Sequence, residues 1–82
     1  MSDSRDIKTY VWHGEQCYFV STITRDSSCE AGHRFSETIV WEYDWATGKR
    51  GGCAIGEFSS PADSIEEHQR QVAALHATGE CA

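Results

Sequence analysis

The chain has 82 residues, 13 acidic against 7 basic, a formal net charge of −6 and a pI near 5.0. That length holds one domain over residues 1–82 that buries only about 60–65% of its extended surface, so a partner, a metal or disulfides would be natural supplements to its core. The acidic balance argues against a protein that tracks a phosphate backbone by charge, and no apolar run approaches the roughly 17–20 residues of a membrane span, so neither nucleic acid nor membrane is expected as a partner.

The opening residues M-S-D-S-R-D-I-K carry no apolar stretch of the kind a signal peptide needs, and cytoplasmic residence is the expectation. Ile7 to His13 is rich in strand formers. Gly14-Glu15-Gln16 reads as a tight turn, and Cys17 to Thr24 is a second run of the same kind, so a hairpin of strands 7–13 and 17–24 is the simplest pairing. Tyr10 and Trp12 oppose Ile7 and Val11, while Phe19 and Ile23 oppose Tyr18 and Val20. Apolar groups on both faces imply either central strands or a sheet covered by a helix on one side and by a partner on the other.

Arg25 to Gly32 is a polar loop, and a third strand over 34–45 follows. In F-S-E-T-I-V-W-E-Y-D-W, residues Phe35, Ile39, Trp41, Tyr43 and Trp45 share one parity, whereas Ser36, Thr38, Glu42 and Asp44 take the other. Residues two apart in a strand face the same way, which makes this a strand with one aromatic face. Ala46-Thr47-Gly48 turns the chain, with Gly48 suited to a positive φ. A last strand spans 53–58, its glycines at 51, 52 and 56 pointing to an edge position or a bulge.

A helix is predicted over 61–78, with Ser60 as N-cap and Pro61 at its first position, or with a later start at Ser64 and a capping pair with Glu67. Ile65, Val72 and Leu75, flanked by Ala62 and by His68 or Gln69, form its narrow apolar stripe, and Gly79 ends it. The fold class is therefore α+β: a small antiparallel sheet of three to four strands packed against one C-terminal helix, in β-β-β-β-α order and two layers.

Rings of this size bury about 150–250 Å2 each, and the helical stripe is wide enough for two of the four on the third strand. The remainder, with Tyr10, Trp12 and Tyr18, is expected at a subunit interface, a peptide groove or a stacking platform. Trp12, Tyr18, Trp41, Tyr43 and Trp45 are accordingly the candidate interaction surface, with a homodimer or another protein as occupant. Lys49 and Arg50, at a hairpin tip, are a candidate anion contact; G-K-R-G-G lacks the serine or threonine and the following helix of a phosphate loop.

Four cysteines occur without any C-x-x-C, and Cys29 with His33 is the tightest pairing. A zinc-stabilised domain would need two further ligands, from among His13, Cys53, His76 and Cys81. The simpler reading makes Cys17 and Cys53 buried strand residues and Cys29 and Cys81 exposed thiols, with no cofactor. A small enzyme or ligand-binding protein is the other alternative, with an intersubunit site near His33, Arg34 and Glu37, where Glu37 is a carboxylate on the aromatic parity suited to general acid or base work. No cooperating base stands at a fixed spacing from it, so the leading expectation is a non-catalytic interaction or regulatory module.

Overall fold

The computed structural model describes residues 6–26, 34–61 and 64–82. Strand β1 (Asp6–His13) turns through Gly14 and Glu15 into β2 (Gln16–Asp26), and β3 (Arg34–Asp44) lies antiparallel on the far side of β2. Strands β4 (Lys49–Arg50) and β5 (Gly56–Pro61) share the remaining edge of β3, and helix α1 (Glu66–Thr78) closes the order. The result is an α+β fold with a wholly antiparallel sheet and one C-terminal helix.

Local chemistry explains the turns. Gly14 has φ 62° and Gly48 has φ 71°, a region that costs other residues steric strain. At the second turn the Asp44 carboxylate accepts from the Ala46 amide at 3.0 Å, and the Gly48 amide donates to the Asp44 carbonyl at 2.8 Å. After β4 the chain leaves the ladder. Gly51 still donates to the Glu42 carbonyl and Ile55 to the Val40 carbonyl, while the residues between bulge from the edge. The last strand thus begins at Gly56, three residues later than the composition of 53–58 suggests, and Cys53 sits exposed in the bulge rather than buried in a strand.

The helix also begins later than proline placement implies. Ser60 and Pro61 belong to β5, where Pro61 pairs with Phe35 at the end of an edge strand and owes no hydrogen bond to a neighbour. Ala62 and Asp63 lie outside the described residues. Ser64, the later candidate, accepts from the Glu66 amide at 3.4 Å, and the first helical bond runs from Gln69 to Ile65. At the other end Gly79, at φ 76°, donates to the Leu75 carbonyl and terminates the helix as expected.

The face chosen by the helix is the main departure from expectation. Register places Val11, Tyr18 and Glu42 in one row, Thr9, Val20, Val40 and Gly56 in the next, and Ile7, Thr22, Thr38 and Phe58 in a third. Leu75 packs with Val11, Tyr18, Val20 and Val40, joined by half-buried Val72, Phe58 and Cys81. None of the aromatic residues of β3 lies under the helix. Tyr18 does, at 9% exposure, so it does not share a face with the other four residues of the candidate interaction surface. Cys81 is half-buried against this core rather than an exposed thiol.

This core is partly polar, and its polar groups are matched apart from the Ser60 hydroxyl on β5, which is buried without a hydrogen-bond partner among the described residues. His68, buried on the inner line of α1, meets the Thr9 hydroxyl at Nε2 and the Thr22 hydroxyl at Nδ1, both at 2.8 Å. Thr22 in turn bonds Thr38 at 2.6 Å, and Thr24 meets Ser36 at 3.3 Å. Gln71, also fully buried, reaches Glu67 and accepts from the Ala82 amide at 2.9 Å. Burial holds the His68 imidazole below its ordinary pKa, so the neutral ring is favoured between its threonines. At the far end of the helix, His13 on β1 donates from Nδ1 to the His76 carbonyl at 3.1 Å, and its ring lies where a Cβ on Gly79 would fall. No helix among the described residues is long and apolar enough to cross a membrane.

Candidate functional site

The opposite face of the sheet takes its residues from the other parity. Antiparallel register sets Tyr10, Phe19 and Trp41 side by side across β1, β2 and β3, and Trp12, Cys17, Tyr43 and Arg50 in the neighbouring row. Aromatic residues favour strands because they fit the pleated surface, and cross-strand placement brings their rings into contact. Tyr10 lies 5.1 Å from Phe19 and 4.9 Å from Tyr43 between ring centroids, and Phe19 stacks on Trp41 at 5.7 Å. Trp45, just past β3, folds back so that its ring is 5.5 Å from Tyr10, 5.7 Å from Trp12 and 5.8 Å from Tyr43.

Trp45 therefore closes over the gap left by Cys17, the one small residue between Trp12 and Tyr43. Cys17 is buried on this face without help from the helix, and desolvation raises its thiol pKa, which leaves it an inert packing group. Burial among the rings, and then the neighbouring Tyr10, push the Tyr43 phenol above its ordinary value as well. The cluster shields Phe19 to 7% exposure, yet its own outer members stay open: Tyr10 is 45% exposed, Trp12 43% and Trp45 58%.

Charge frames the rings asymmetrically. The Arg50 backbone stands in the Tyr43 row at one end of the face, and its guanidinium reaches back over Trp41 at 4.4 Å from the ring centroid in a cation–π contact. Lys49 precedes it on β4, pairs with Asp44, and takes the alternate parity, so the two charges of the hairpin tip are not presented as one patch. At the other end the register sets Glu57 beside Ile39, and Asp6, Ile23 and Glu37 in one row. Asp6 pairs with Lys8 at 3.5 Å in an exposed ion pair. Two shallow grooves flank Tyr43, one of about 600 Å3 beside Trp12 and Trp45, the other of about 710 Å3 between Tyr10, Trp41 and Arg50.

The remaining sequence candidates are dispersed. Cys29 and His33 lie outside the described residues. Arg34 begins β3 opposite Asp26 in the register, and Glu37 follows three residues along the strand opposite Ile23. Among the described residues no group of three His, Cys, Asp or Glu side chains gathers as a metal site. Of the interaction residues, Trp12, Trp41, Tyr43 and Trp45 share one surface, which Tyr10 and Phe19 complete. Both could have been assigned from their parity once the β1–β2 register was fixed by the Gly14 turn. Comparison with protein-family models, with curated proteins and with solved structures gives no match to this chain.

Proposed function

We propose that the protein is a non-catalytic interaction module that works in the cytoplasm as a cofactor-free homodimer, held by the aromatic face of its sheet. One observation carries the reading: the helix occupies the hydroxyl-rich face, and the face bearing Tyr10, Trp12, Phe19, Trp41, Tyr43 and Trp45 has no covering layer among the described residues. A sheet stabilises by burying its apolar side against another layer, and among the described residues this one has a layer only on its less apolar side.

Area supports the same conclusion. Three rings exposed by 43–58% leave roughly 300 Å2 of apolar surface, from about 150–250 Å2 per ring, before half-buried Trp41, Tyr43, Ile39 and Phe35 are added. That already equals the lower end of the largest patch on a typical monomer and supplies a large share of the roughly 800 Å2 each partner gives to a stable interface. The grooves are open and shallow, which suits a broad protein surface better than an enclosed small molecule.

Native mass spectrometry of untagged protein from low to high micromolar concentration tests this. A dimer is expected, and Trp45→Asp should return the protein to a monomer while its far-ultraviolet circular dichroism stays unchanged. A wild-type protein that remains monomeric at the highest concentration overturns the reading.

A further inference from the structure

The charges around the rings point to one way of closing the dimer. Resting on the self-association just proposed, we infer that two copies pack aromatic face to aromatic face about a two-fold axis that crosses the strands at the Tyr10–Phe19–Trp41 row, setting Arg50 of each copy against Glu57 of the other.

The register makes this arrangement self-complementary. Glu57 pairs with Ile39 and Arg50 with Tyr43, and Trp41 lies midway between Ile39 and Tyr43 on β3. A half-turn about the Trp41 row therefore exchanges the backbone positions of Glu57 and Arg50, which stand on the same edge of β3, and the Arg50 guanidinium leaves its place over Trp41 to meet the facing Glu57. It also sets Lys8 over Trp12 of the second copy, because Tyr10 is midway between those two on β1. Facing sheets lie about 10 Å apart, a gap that a glutamate and an arginine side chain span from opposite sides.

The competing face-to-face symmetry has its axis along the strands. It would gather Asp6, Lys8, Glu37 and Glu57 of both copies, a group with an excess of acid, at one end of the interface and both Arg50 side chains at the other. Ends of like net charge laid over one another oppose association, whereas the crossed arrangement lays the acidic end of each copy over the basic end of its mate. In the competing arrangement Glu57 would meet Lys8 rather than Arg50, which gives the two geometries different rescue partners.

Sedimentation equilibrium of the full chain and four variants tests the inference. Glu57 is exposed on an edge strand, so Glu57→Arg leaves the fold intact, checked by thermal melting at a concentration where all variants are monomeric. Glu57→Arg should weaken the dimer by roughly ten-fold or more, and adding Arg50→Glu to it should restore most of the affinity. As a second readout, the Arg50→Glu and Glu57→Arg single variants should form a mixed dimer tighter than either forms alone. An unchanged dimer for Glu57→Arg, or rescue by Lys8→Glu in place of Arg50→Glu, overturns this geometry and leaves the homodimer standing. A monomeric wild-type protein removes both.

Discussion

The helix-covered face of the sheet sets Val11, Tyr18, Val20, Val40 and Phe58 among the hydroxyls of Thr9, Thr22, Thr24, Ser36 and Thr38, while the open face carries Tyr10, Trp12, Phe19, Trp41 and Tyr43. In most two-layer domains the larger apolar side would lie inward. Here the covered face is rich in hydroxyls, and hydrogen bonds from Thr9 and Thr22 to His68 fix the helix through directional contacts. The open face is large and ring-filled, and among the described residues it is shielded only by its own rings. On the proposed reading, folding and association fall to different sides of the same strands, and substitutions on each should report on one and spare the other.

The largest effect should come from Leu75→Ala. Leu75 is the fully buried anchor of the helix, and its truncation should cost about 2–5 kcal/mol in urea denaturation, a large part of the stability of so small a domain. Should the helix be only loosely attached, the loss will fall well short of that range. Thr22→Val is next. It keeps the shape but strips His68 and Thr38 of a shared buried partner, for an expected loss of roughly 1–3 kcal/mol.

A smaller effect follows from the titration of His68. Its folded-state pKa is lowered by burial from the ordinary 6.5, so the neutral ring is the stable form in the fold. The unfolded chain then takes up protons first. The contribution is complete above about pH 6.5 and is lost as pH falls below it towards the folded value. Urea midpoints at pH 7.5 and pH 5.5 should therefore differ more for the wild-type protein than for His68→Gln, and equal differences would contradict the buried imidazole. On the open face, Arg50→Gln should change monomer stability least, by about 0.5–1 kcal/mol from the lost contact with Trp41.

Much of this architecture was legible in the chain. The parity of Phe35 to Trp45, the glycines at 14, 48 and 79, and the β-rich runs before and after Gly14 led directly to the hairpin, the aromatic face and the helix terminus. The orientation of the helix was not, because a strand with two usable faces has the same alternation whichever one is covered. An expectation based on hydrophobicity places the rings inward. The overlooked signal was in the helix itself: His68, Gln71 and Leu75 at helical spacing make an inner line that is two-thirds polar, suited to threonine and serine hydroxyls rather than to tryptophan. The late helix start was hidden for a similar reason, since Pro61 is as acceptable at the end of an edge strand as at the first turn of a helix.

The two histidine contacts between strand and helix have a consequence for alignment. Thr9 receives His68 near the helix start, and His13 reaches His76 near its end. Four residues of strand advance about 13 Å and eight residues of helix about 12 Å, so the two intervals nearly match. Strand and helix act as paired rulers pinned at both ends. A helix slid by one turn, about 5.4 Å, would miss both pins at once. Insertion of one residue between His68 and His76 would therefore leave one pin engaged and swing the other out of reach, while a matched lengthening of strand and helix would be needed to keep the pair in step.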